Sequence, residues 1–231
     1  MPNKTQISLT MKKPLILLLG LFIITSSYSQ VVNESTKRKF SSGIDIFTDI
    51  WQNTPDSLSL STINRGINVF GMYNYRFGSS SLSFAFGLGI SSHNMYGNSL
   101  PEEIDGETTF IKITDSISYK KSKLVITYLD IPIEFRLKTK SKFRAALGFK
   151  VGYLLNVHSK YKGDDFLGNN DKVKQKSTNV KYLELFRYGP TVRIGYRWFN
   201  LTAYYSLSYL FKAGKGPDMY PISVGISLMP F

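Results

Sequence analysis

The chain has no cysteine and only two histidines, and its acids are outnumbered by its bases, 16 to 29. Without cysteine there are no disulfides, no thiolate metal ligands and no lipoprotein-type lipid anchor. Imidazole chemistry is confined to His93 and His158. Long apolar runs are also missing, apart from Leu15 to Thr25. That run is too short to cross a hydrocarbon core of ~30 Å as a helix. Any membrane insertion must therefore use strands.

The N-terminus has a secretory layout. Met11-Lys12-Lys13 is a basic start, the apolar run follows, and Ser27-Tyr28-Ser29 puts small residues where a signal peptidase reads. The expected organisation is a signal peptide over 1–29 with Met11 as the true start, an N-terminal periplasmic segment over 30–39, and one β-barrel domain over 40–231. Cleavage removes Lys4, Lys12 and Lys13 and no acid, so the net charge falls from +13 to +10. In an exported protein with bases spread over loops and one strand face, such an excess suits anionic head groups or surface polysaccharide, not nucleic acid.

From Phe40 onward apolar and small or polar residues alternate with a period of two, eight times over. Phe143 to Val157 shows it best, with Phe, Ala, Leu, Phe, Val, Tyr, Leu and Val at the odd positions. Successive side chains on a strand point to opposite faces. Strands are predicted at Ser42–Trp51, Gly66–Phe77, Leu82–His93, Lys123–Lys138, Phe143–His158, Tyr188–Trp198, Asn200–Phe211 and Tyr220–Phe231. Their connections alternate between tight turns (Gly78–Ser81, Thr139–Lys142, Phe199-Asn200) and long polar loops. That is the layout of an eight-stranded antiparallel transmembrane β-barrel, with short turns and both termini on the periplasmic side. Within the second long loop, Thr109–Ile113 has strand character and extends a hairpin. The third, Ser159–Arg187, reads as a mobile surface loop.

Composition decides which face looks outward. The apolar sets, such as Leu82/Phe84/Phe86/Leu88/Ile90 and Ile222/Val224/Ile226/Leu228, include no charge, whereas the opposite faces collect glycines, Ser, Asn and ions. Small residues on the second face fit the crowded middle of a narrow barrel. Tyr73, Tyr75, Tyr153, Tyr196, Trp198, Tyr205 and Tyr209 fall on the apolar side, many near strand ends, as membrane-interface aromatics do.

The inward set then holds Asp45, Asp49, Asp130 and Glu134 beside Arg76, Arg136, Arg144, Lys150, Arg193 and Arg197. Buried ions must pair, so a structural charge network filling the barrel is the expectation. The alternatives are a narrow anion-preferring pore lined by Arg193 and Arg197, a lipid A-modifying barrel hydrolase using His93 or His158, and a soluble lipocalin-like carrier with its apolar face inside. The two histidines read as solvated rim residues. The acidic stretches at 101–107 and 164–171 lack the spacing of a calcium loop, so no metal or cofactor is expected.

Tyr128-Leu129-Asp130-Ile131-Pro132-Ile133-Glu134-Phe135, Gly148-Phe149-Lys150-Val151-Gly152-Tyr153-Leu154-Leu155 and Tyr188-Gly189-Pro190-Thr191-Val192-Arg193-Ile194-Gly195-Tyr196 together resemble the PorT-like outer-membrane β-barrel family of Bacteroidota. The resemblance runs from about Phe40 to the end. It implies an outer-membrane barrel and little about a biochemical role; the role expected for the chain is a non-enzymatic one, a barrel that anchors surface loops for interaction or envelope organisation. The expected partners of such a barrel are outer-membrane lipid and lipopolysaccharide, the outer-membrane insertion machinery, and envelope or secretion proteins. No motif carries over the namesake's link to type IX secretion. Pro132 removes a ladder donor and predicts a local bend. Phe231 stands where such barrels carry an aromatic insertion signal, out of step with the even-numbered apolar face unless Met229-Pro230 bulges.

Overall fold

The computed structural model describes residues 39–78, 80–165 and 172–229. The signal-peptide expectation, most of the 30–39 segment and Phe231 lie outside them. Eight antiparallel strands close on themselves in the order β1 (Phe40–Gln52), β2 (Arg65–Arg76), β3 (Leu82–Tyr96), β6 (Tyr119–Lys138), β7 (Phe143–Asp164), β9 (Phe186–Tyr196), β10 (Phe199–Tyr205) and β11 (Tyr220–Leu228), which returns to β1. Closure leaves no open edge around the barrel. Three short strands stand beside it. β4 (Ser99–Ile104) and β5 (Glu107–Lys112) form the hairpin, and β8 (Lys172–Ser177) lines the upper part of β7.

Period-two burial sets the faces. Leu147, Leu201 and Phe135 are 65 %, 66 % and 62 % exposed, while Asp49 and Asp130 are 0 % and 1 % exposed. Ile194 and Val224 also face outward. An apolar belt of this extent is untenable against water. It belongs in hydrocarbon, and the lipocalin-like inside-out arrangement is overturned. Above the polar interior, on the long-loop side, Trp51, Leu124, Ile126, Tyr128, Leu210, Phe211 and Met219 pack into an apolar cluster. Phe110 of the hairpin and Leu183 from the β8–β9 connection join it. The barrel is therefore filled with ions and capped with hydrocarbon.

Several expectations need correction. The third long loop is in part regular structure, since β7 continues to Asp164 and pairs with β8 from Ser159↔Ser177 to Asp164↔Lys172. Strand β10 stops at Tyr205, and the chain to Phe211 climbs irregularly, tied by Leu207 N–H to Tyr188 O and Leu210 N–H to Met219 O. The last tight turn is Arg197-Trp198, not Phe199-Asn200. Arg197 takes the left-handed φ of 55°, and Asn200 is a buried β10 residue. Pro132 leaves the β3–β6 register unchanged on either side of it. The shift lies higher, where Thr127↔Asn156 is followed by Tyr128↔Leu154 and Leu155 is left over. That bulge reverses the facing of β7 above it, so Val157 packs inward against the apolar cap.

Candidate functional site

The inward positions of the eight strands bring the predicted charges together in two tiers. In the lower one, Arg136 Nε donates to Glu134 Oε2 at 2.7 Å and its Nη1 to Ser41 Oγ and Asn74 Oδ1 at 2.9 and 2.6 Å. Arg193 bridges Glu134 and Asp45, each at 3.3 Å, and Asn68 donates to Asp45 at 2.8 Å. Arg144 reaches Met229 O from the periplasmic end.

The upper tier is built around Arg187. Its Nη2 lies 2.9 Å from both oxygens of Asp130 and 2.7 Å from Ser91 Oγ, and its Nη1 lies 2.6 Å from His93 Nε2. A guanidinium only donates, so Nε2 accepts and the His93 proton sits on Nδ1. From there it reaches Asp49 Oδ2 at 2.8 Å, and Ser223 Oγ donates to the other Asp49 oxygen at 2.6 Å. Lys150 stands 3.7 Å from Asp130 and 4.2 Å over the Tyr204 ring, while Arg187 covers Tyr128 at 4.1 Å. Glycine makes the room: a Cβ on Gly152 would come within 2.4 Å of Asp130 Oδ1 and 2.8 Å of Arg187 Nε. Between the tiers remains a cavity of about 40 Å³, lined by Asp45, Asn68, Asp130, Glu134, Lys150 and Arg193. It has space for a few waters and nothing larger.

Two of the predicted interior residues do not join. Arg76 and Arg197 have the inward parity but sit at the short-turn rim, where both are exposed. Parity fixes direction; height along the strand decides burial. Arg187 and His93 were missed as network members. Arg187 comes one residue before the predicted start of its strand, although the alternation Arg187, Gly189, Thr191, Arg193 extends to it. His93 is 1 % exposed, so the solvated-rim reading fails for it.

The arrangement does not make a serine nucleophile. In a catalytic triad the imidazole stands between hydroxyl and carboxylate. Here Asp49 stands between Ser223 and His93, and the second ring nitrogen of His93 is occupied by Arg187. His158 is also buried, 8 % exposed, on the extracellular part of β7, and neither of its nitrogens has a partner among the described residues. Burial first, and then Lys160, Lys176 and Lys123, push its pKa down to about 4. Folding thus holds His158 neutral, and the unfolded chain binds the extra proton. Stability contributed by this group is full above about 6.5 and is lost as pH falls through 6.5 towards 4. In detergent micelles the His158 Cε1–H resonance is expected to titrate with a midpoint near 4. A midpoint near 6.5 would show a solvated ring.

The aromatic side chains fall into two rings on the outer wall. Tyr73 meets Phe40 edge-on and Phe86 at a tilt near the short turns, where Tyr75, Tyr196 and Trp198 also lie. Tyr153 meets Phe186 at 5.4 Å towards the other end, where Tyr205 and Tyr209 both contact Tyr220. In the hairpin, Glu103 is held by Lys181 at 2.6 Å and Tyr182 at 2.5 Å. Among the described residues no cluster of acids and histidines has the makings of a metal site.

A family model described as Outer membrane protein beta-barrel domain matches residues 27–212. Among solved structures the chain is similar to Ail, the attachment invasion locus protein of Yersinia pestis. Identity is 16% over 83% of this chain and 97% of that one, with a TM-score of 0.37. The same protein in complex with the heparin analogue sucrose octasulfate gives 14% identity at the same coverage and a TM-score of 0.36. No curated protein matches. With eight strands closed into a barrel, an apolar outer wall and a family match over most of its length, the chain belongs to the outer membrane protein beta-barrel domain family and is an outer-membrane barrel.

Proposed function

We propose that the protein is a non-enzymatic outer-membrane anchor, a closed plug that holds a rigid extracellular β-structure out for interaction or envelope organisation. The observation that carries this reading is the filled interior, two ionic tiers beneath an apolar cap with a cavity of only about 40 Å³ between the tiers. The aromatic rings on the outer wall support a role as interfacial girdles. Within the family we place the chain with the PorT-like barrels, on Tyr128–Phe135 and the strands that follow, with no secretion role attached. Signal-peptide cleavage after Ser29 and an insertion signal at Phe231 belong to the same proposal.

A pore needs a continuous aqueous path, and an anion pore needs surplus positive charge along it. The buried tiers instead set Asp45, Asp49, Asp130 and Glu134 against Arg136, Lys150, Arg187 and Arg193, and Arg144 at the periplasmic end is the one further cation there among the described residues. In planar bilayers the purified barrel is expected to give no steady single-channel current. A steady conductance that changes when Arg187 and Arg193 are replaced would overturn the plug.

A further inference from the structure

Above the lipid-facing belt, the outer wall of β6, β7 and β8 changes character within two residues. Along β6 the outward positions run Leu129, Thr127, Val125, then Lys123 and Lys121. Along β7, past the bulge, they are His158, Lys160 and Lys162, and on β8 Lys176 and Lys174. Register aligns them. Lys123 faces Lys160, which faces Lys176, and Lys121 faces Lys162, which faces Lys174. Directly opposed residues share a face with Cβ atoms about 5 Å apart, and the next row lies about 7 Å further on.

Six ammonium groups thus stand in two rows of three. Like charges directly opposed destabilise a sheet. Among the described residues none of the six is paired with a carboxylate. The one acid in register with this face is Asp164, at the tip, and Lys172 opposes it. Lys123 donates to Asn94 and lies 5.1 Å over the Tyr96 ring, so its position is fixed. Burial, with repulsion from Lys121 and Lys160, lowers its pKa from the ordinary lysine value. At the foot of the rows is His158, whose two nitrogens lack partners.

We propose that this lysine face is a binding site for the phosphorylated inner core of lipopolysaccharide in the same leaflet. The proposal rests on the outer-membrane reading. Height selects this ligand. Six residues at ~3.3 Å each along a strand tilted ~40° put Lys123 about 15 Å above Leu129. That is beyond the acyl chains and level with the anionic sugars. The face also points sideways along the membrane, towards neighbouring lipid, and not outward from the cell.

The test titrates rough lipopolysaccharide into the full-length barrel in neutral detergent and follows the midpoint of heat-induced loss of the compact gel band. The wild type should be stabilised, and less so at high salt. Replacing Lys121, Lys160, Lys162 and Lys174 together by Ser should raise the half-saturating concentration at least about a hundred-fold, since each surface lysine contributes roughly five-fold. The same four as Arg should keep it, and so should Ser at Lys112, Lys212 and Lys215, which lie off this face. Stabilisation that survives the four Ser replacements, or that dephosphorylated lipopolysaccharide matches, overturns the site. Saturation by soluble inositol hexakisphosphate with no response to lipopolysaccharide overturns the choice of a membrane ligand. A wild type without a heat-modifiable band overturns the barrel itself and this site with it.

Discussion

Replacing Arg187 by Ala should lower the stability of the barrel by about 3–5 kcal/mol, the cost of leaving a buried partner charge uncompensated. Asp130 would keep only Lys150 at 3.7 Å and the Ser91 hydroxyl, and His93 Nε2 and Ser91 Oγ would lose the Arg187 donor. Urea unfolding in detergent, followed by tryptophan fluorescence and by loss of the compact gel band, should show the midpoint falling by about 2 M. The pairing argument makes a second demand. Removing both charges, with Arg187→Met and Asp130→Leu in one chain, should recover much of the loss, because an apolar pair of similar volume avoids desolvating either ion. A double-mutant cycle over the two positions therefore gives a coupling well above that of a surface pair. If Arg187→Met and Asp130→Leu simply add, Arg187 acts as filler and not as the hub of the upper tier.

Arg187 also shows where sequence reading stops. The eight strands were legible because a barrel in lipid has one unbroken apolar face, and period-two alternation records that face directly. Short turns against long loops then gave the order and the sidedness. Inward parity named Asp45, Asp49, Asp130, Glu134, Arg136, Lys150 and Arg193, all of them now in contact with another network member. Parity does not encode depth. Arg76 and Arg197 share the parity and end in water, because Arg76 is the last inward position of β2 and Arg197 already lies in the turn after β9. The bulge at Leu155 was hidden because Leu154, Leu155 and Val157 are all apolar, so the reversal of facing left no break in composition. The lysine rows were hidden for a related reason. Lys123, Lys160 and Lys176 are far apart in the chain, and only the register past the bulge, together with an unforeseen β8, sets them side by side.

The outward assignment of the apolar face can be tested by one charge. Val224 is the central outward residue of β11, with Thr48 on one side and Ala203 on the other. Val224→Arg should cost about 2–4 kcal/mol, the expense of an arginine at the bilayer midplane, and the same substitution at Leu228, near the short-turn edge, about 0–1 kcal/mol. Small neighbours give the new side chain space, so crowding adds little and the difference reports the surroundings. Unfolding in phosphatidylcholine vesicles should show the gap between the two sites, and micelles, which admit water, should narrow it. In cells Val224→Arg should reduce the heat-modifiable form in the outer membrane while Leu228→Arg leaves it close to normal. Equal and small costs at both positions would mean that Val224 faces water. An apolar wall that tolerates a charge at its centre is not in lipid, and the anchor reading would fall with it.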